Sequence, residues 1–249
     1  MSAAMSRSPI AQPPPLPSTT TGAPAGRRWA AGSRATLVHA LLLIVLLPIG
    51  GIAMSMLLGP YLPAPDSHRF DASMGAVVNQ LVQFGIGTTY IGLALLLAGR
   101  LRWRDLGWRD LSLRQIALGA GGFLVLFVAF GAFAVVTSGY TAGGFLEAIA
   151  GFTWRERLFG LLIGVSASLV EESLYRGYLQ PALCKRFGAT GGIVATAVLF
   201  SLMHIPTNLV AFAGRLLVGL GFGFLRGQDR PLWAPAIAHT LVWVVIFAL

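Results

Sequence analysis

The chain has 249 residues, 55% of them hydrophobic and only 11% charged, with a mean hydropathy of +0.74. A water-soluble domain carries about 25% charged residues, so this composition excludes a soluble globule and requires lipid as the solvent. The net charge of +9 comes almost wholly from arginine, with Lys185 the single lysine. Most of these arginines sit in short loops between apolar runs, which argues against a nucleic-acid partner and for contact with membrane lipids and their anionic headgroups.

Residues 1–33 are rich in Pro, Ala, Ser and Thr, show no apolar periodicity, and read as a disordered N-terminal tail. Residues 34–249 read as one transmembrane helical domain. Seven apolar stretches follow the tail, at roughly 35–59, 76–99, 114–137, 157–182, 191–206, 208–226 and 231–249, judged against the ~20 residues a helix needs to cross a bilayer. The expected fold is therefore an all-α membrane protein, a polytopic bundle of about seven transmembrane helices. The first stretch is too long for a signal-peptide core and reads as a retained span.

Arginine placement orients the spans. Arg27, Arg28 and Arg34 precede the first span, and Arg100, Arg102, Arg104, Arg109 and Arg114 fill the second connection. Lys185 and Arg186 follow the fourth span, and Arg226 and Arg230 precede the seventh. Alternate crossings put these clusters on one side, the cytoplasm, with the N-terminus inside. Arg155 and Arg157, at the start of span four, are exceptions. The alanine- and arginine-rich composition suggests a bacterial inner membrane.

Within span four, "TWRE" predicts a capping box, with Thr153 as N-cap and Glu156 three residues on. Pro181 suits the other end. Span six carries Gly219, Gly223 and Gly227 at small-xxx-small spacing, read as helix packing. Cys184 is the only cysteine, which rules out an internal disulfide.

Ionisable groups inside a bilayer are costly and mark function by default. Glu171, Glu172 and Arg176 end an apolar run, and His204, Arg215 and His239 lie in later spans. Glu172 and Arg176 are four apart, acid first, the favourable order for an i,i+4 pair. Glu171 is rotated by about 100° and lacks that partner, which leaves it free to take a proton from water. His204 shares a face with Phe200, and His239 with Trp243. At ~1.5 Å per residue, Glu171 lies ~20 Å along span four from Leu158. That is ~10 Å from the inner boundary of a ~30 Å core, and His239 lies ~12 Å from Pro231. His204, ~20 Å from Gly191, falls too deep unless its helix starts later or tilts. Arg215 receives no assignment from sequence.

These residues resemble the three motifs of the CAAX-protease and bacteriocin-processing family of intramembrane proteases. "EESLYR" (171–176) resembles its two glutamates and arginine, "FSLMH" (200–204) its Phe-x3-His, and "HTLVW" (239–243) its His-x3-Asn. The resemblance covers about residues 100–249. It implies peptide-bond hydrolysis in the bilayer, with Glu171 as general base, His204 assisting it and His239 stabilising the oxyanion. Glu172, Arg176, Phe200 and Trp243 stand as supporting residues. It also implies a metal-free mechanism with no cofactor. Zinc held by Glu171, His204 and His239 is the alternative, which lacks the compact H-E-x-x-H spacing.

Trp243 departs from the family pattern, which has Asn there; an indole offers one N–H donor and no acceptor. The leading expectation is an intramembrane endopeptidase acting on a peptide or membrane-associated protein. The alternative is a non-catalytic scaffold or immunity-type protein that retains the fold. A small-solute transporter has less support, because no internal repeat is evident.

Overall fold

The computed structural model describes residues 103–245, except 140, 228 and 229, together with a few isolated positions before residue 57. The expected tail (1–33) and the first two spans (35–59 and 76–99) lie outside the described residues. Those described form α1 (Trp103–Leu106), α2 (Leu113–Ser138), α3 (Ala142–Ala150), α4 (Trp154–Glu171), a π-helical segment (Glu172–Leu179), α5 (Gln180–Met203), α6 (Leu209–Arg226) and α7 (Trp233–Val245). No strand occurs among them. Three stretches are long and apolar enough to cross a membrane: Leu113–Thr137, Glu156–Met203 and Leu209–Arg226; Trp233–Val245 is a shorter apolar helix.

Local chemistry sets the helix starts. Ser112, Thr141 and Asn208 each accept a backbone N–H of the first turn of α2, α3 and α6, satisfying a donor that has no partner within its own helix. Thr153 completes the predicted capping box: Glu156 N–H donates to its Oγ1 at 3.3 Å, and its own N–H donates to Glu156 Oε2 at 2.6 Å. Arg157, an exception to the arginine pattern, caps neighbouring helix ends. Its guanidinium donates to Ile149 O at 2.7 Å and Val244 O at 3.5 Å, carbonyls from the last turns of α3 and α7.

Span four does not end at Pro181. The helix passes through the π segment and Pro181 and continues to Gly188, which breaks it with φ 75° and ψ 170°. The π segment makes this passage tolerable. Proline cannot donate, and its ring clashes with the carbonyl four residues back. Here the preceding residue already bonds one residue further, Gln180 N–H to Tyr175 O. The next carbonyl in that series, Arg176 O, accepts Arg226 Nε instead at 3.2 Å.

At Gly188 the chain reverses. A Cβ on Gly192 would overlap the Cys184 backbone, so residues 189–203 fold back on 180–187 as an antiparallel pair. The 48-residue apolar stretch is thus two helical arms joined at Gly188, ~72 Å of helix at 1.5 Å per residue.

The second arm of α5 packs on α6, where Gly219 meets Ala197 and Phe200. Helix α4 packs on α7 through Gly160 and Gly164. A Cβ at either would come within 3 Å of the Thr240 or Trp243 backbone. Ser168 Oγ and Thr240 Oγ1, 3.0 Å apart, continue the same seam.

Candidate active site

The α4 seam has a four-residue period: Gly160, Gly164, Ser168, Glu172, Arg176, Gln180. Small residues bring α7 close, and polar residues follow where the π segment widens the turn. π-Bulges commonly sit at functional sites, and this one is buried at every residue from Glu172 to Leu179.

Glu172 and Arg176 are both fully buried and paired at 3.2 Å, as the spacing predicted. Glu172 Oε1 also accepts His239 Nδ1–H at 2.8 Å. Arg176 Nη2 donates to Gly219 O at 3.0 Å. Its guanidinium lies 4.5 Å from the Phe200 ring centroid, 5.3 Å from Phe222 and 5.7 Å from Tyr175. An aromatic shell thus replaces water around the cation. Phe200 also sets both imidazoles: its ring lies 4.6 Å from that of His204 and 6.3 Å from that of His239.

His204 is the C-cap of α5. Ile205 follows with φ 47°, a left-handed conformation that strains a β-branched residue and ends the helix at the imidazole. His204 Nδ1 is 2.7 Å from Phe200 O. A carbonyl only accepts, so Nδ1 carries a proton and Nε2 points elsewhere. The same logic holds for His239, whose Nδ1 faces Glu172 and whose ring stacks on Phe222 at 4.6 Å.

Both free Nε2 atoms converge on one oxygen. His204 Nε2 and His239 Nε2 are each 3.9 Å from Glu171 Oε2, which is buried and has no hydrogen-bond partner among the described residues. This distance is too long for a direct hydrogen bond, and it equals two bonds of ~2.75 Å meeting at about 90° on one bridging water. It also exceeds the about 3.4 Å between ligands of one tetrahedral zinc. Among the described residues no group of three or more His, Cys, Asp or Glu side chains is arranged to hold a metal ion.

The structure thus brings Glu171, Glu172, Arg176, Phe200, His204 and His239 into one cluster. Trp243 lies one turn beyond His239, with its Cβ against Gly164. Residues 152–245 match the family model described as type II CAAX prenyl endopeptidase Rce1-like. All three motifs fall within the match, and it bears out the resemblance drawn from them. The family is one of membrane endopeptidases. No curated protein and no solved structure matches the chain.

Several site residues carried no sequence assignment. Phe222 stacks on His239, and the Gly219 carbonyl holds Arg176; a backbone acceptor leaves no mark in sequence. Gln180 Nε2 donates to Gly223 O at 3.1 Å and Gly227 O at 2.7 Å, tying the π segment to the end of α6. Trp108 Nε1 donates to Ser173 Oγ at 2.8 Å, fastening the loop after α1 to the residue following Glu172. The period-four polar stripe, by contrast, was visible in the sequence.

Proposed function

We propose that the chain is an intramembrane endopeptidase that hydrolyses a peptide bond of a membrane-associated peptide or protein, with water activated by Glu171. The observation that carries this reading is Glu171 Oε2, without a hydrogen-bond partner among the described residues and 3.9 Å from two Nε2 atoms. In the proposed step Glu171 takes a proton from water while the water oxygen attacks the scissile carbonyl carbon. His204 positions that water through Nε2. His239, with Nδ1–H given to Glu172, carries a second proton on Nε2 and donates it as a hydrogen bond to the oxyanion. The C–N bond then breaks, and the leaving amine takes the proton held by Glu171. Glu171, Glu172, Arg176 and one imidazolium sum to zero charge, a balance that a low-dielectric interior favours.

The proposal includes a metal-free reaction, about seven spans, and a bacterial inner membrane with the N-terminus in the cytoplasm. Its partners are the peptide substrate and membrane lipids. Purified chain and Glu171→Gln, incubated with membrane peptides with and without chelator, test it. The expected result is chelator-insensitive cleavage that drops about 10²–10⁴-fold in Glu171→Gln, with unchanged unfolding. Equal cleavage by the two proteins overturns the reading.

Trp243 favours a second reading, a non-catalytic scaffold or immunity-type protein. Under the enzyme reading, Trp243→Asn supplies an amide donor and raises a measurable basal rate, about tenfold or more. A chain inactive both as wild type and as Trp243→Asn, yet able to retain a partner, supports the scaffold.

A further inference from the structure

We propose that the hairpin tip at Lys185–Gly188 docks an acidic segment of the substrate, about seven residues from the cleaved bond, an inference that rests on the endopeptidase reading. Lys185, Arg186 and Phe187 are all exposed, and the Arg186 guanidinium lies 5.8 Å from the Phe187 ring centroid. Among the described residues neither cation has an acidic partner. The sequence holds no Asp or Glu from 173 to 228.

The tip stands at a fixed distance from the reacting groups. One helix runs from Glu171 through the π segment to Phe187, and Gly188 is its first non-helical residue, with φ 75°. Gly192 lies so close to the Cys184 backbone that a Cβ would overlap it, which locks the two arms together. Arg186 is therefore ~22 Å along the helix from Glu171. An extended chain covers that in about seven residues at ~3.3 Å each.

The level of the tip selects its partner. Gly177 lies against Leu106 and Leu232. Trp108 and Trp233, close to those two in sequence, meet edge to face with ring centroids 5.0 Å apart, and such aromatics favour headgroup level. Lys185 and Arg186 stand ~12–14 Å further along the helix from Gly177. Attraction to anionic lipid falls off over ~8 Å at physiological salt, so lipid is the poorer match. A substrate chain held at Glu171 that leaves the membrane on this side comes within reach of the tip. Asp or Glu side chains on it complement both cations.

Binding is read with fluorophore-labelled peptides that carry an apolar run followed by three Asp, three Gln or three Lys. The protein is the full chain carrying Glu171→Gln, in phosphatidylcholine nanodiscs. The Asp peptide should bind about three- to tenfold tighter than the Gln peptide, with a smaller margin at high salt. Adding Lys185→Glu/Arg186→Glu should reverse the order in favour of the Lys peptide and leave Gln-peptide affinity unchanged. Lys185→Gln/Arg186→Gln should level all three, and Arg114→Gln, at the start of α2, should keep the Asp preference. Equal affinity for Asp and Gln peptides overturns the proposal, and so does a preference that survives charge reversal at the tip or disappears with Arg114→Gln. Equal peptide affinities together with phosphatidylglycerol retained by the purified chain, and lost on charge reversal, assign the tip to lipid. Cleavage by the unmutated chain is scored separately, with the cut located by mass spectrometry. Moving the Asp triplet outward by three residues should move the cut by three. No cleavage with a tip-dependent Asp preference sinks the endopeptidase reading alone; cleavage without that preference, or with the cut unmoved, sinks the docking site alone.

Discussion

Replacing Arg176 tests whether the buried pair is held by mutual compensation. Arg176→Met removes the cation and leaves Glu172, fully buried, with His239 Nδ1 at 2.8 Å as the donor to Oε1 and, among the described residues, nothing on Oε2. Stranding one member of a buried ion pair costs about 3–5 kcal/mol. Glu172→Gln strands the cation instead. Gly219 O and the Phe200 and Phe222 rings still surround it, which places that variant near the lower end, about 3 kcal/mol. Removing both charges leaves no ion uncompensated, and replacing a buried pair with apolar groups is often near neutral. The double variant Arg176→Met/Glu172→Gln should therefore lose far less than the summed about 6–8 kcal/mol, with a coupling of at least about 3 kcal/mol. The assay is reversible unfolding in mixed micelles followed by tryptophan fluorescence. Losses that add to within about 0.5 kcal/mol refute the compensation argument and leave packing as the explanation.

Two helix glycines, one in the α4–α7 seam and one on α2, give substitutions with opposite signs. Gly164→Ala pushes a methyl to 2.9 Å from Thr240 O; it should destabilise by about 1–3 kcal/mol and lower turnover further by displacing His239. Gly121→Ala, which meets nothing among the described residues within 4 Å, should stabilise α2 by about 0.5–1 kcal/mol; the same unfolding assay reads both. Trp108→Phe removes the 2.8 Å donor to Ser173 and should cost about 1 kcal/mol, while Ser173→Ala added to it should cost little more. Full additivity of those two contradicts the hydrogen bond.

Depth along the helices was the weakest part of the sequence reading, and the structure shows why. His204 looked too deep when counted from the start of its own span, as though all helices began in one plane. The second arm of α5 begins at the Gly188 reversal, whereas α7 begins level with Gly177, whose Cβ position touches the Leu232 side chain. The two starts are staggered by roughly 11 residues, or ~16 Å, and the imidazoles meet at Glu171. Pro181 misled for a related reason. Proline normally stops a helix, and the carbonyl that it orphans here is taken by Arg226, 50 residues away.

The sequence alone determined an apolar helical chain, the Glu172–Arg176 pair, a Glu171 outside that pair, and two histidines, one on the helix face of Phe200 and one on that of Trp243. Each of these follows from composition or from spacing within one helix, where 3.6 residues per turn fixes which side chains share a face. Only the tertiary structure decided that the two imidazoles turn their free nitrogens to one carboxylate oxygen. Those orientations depend on a carbonyl at Phe200, a carboxylate at Glu172, an aromatic ring from α6 and close approach at Gly160 and Gly164. Contacts between helices far apart in the chain have no fixed spacing, so they arise from packing and leave no period to read.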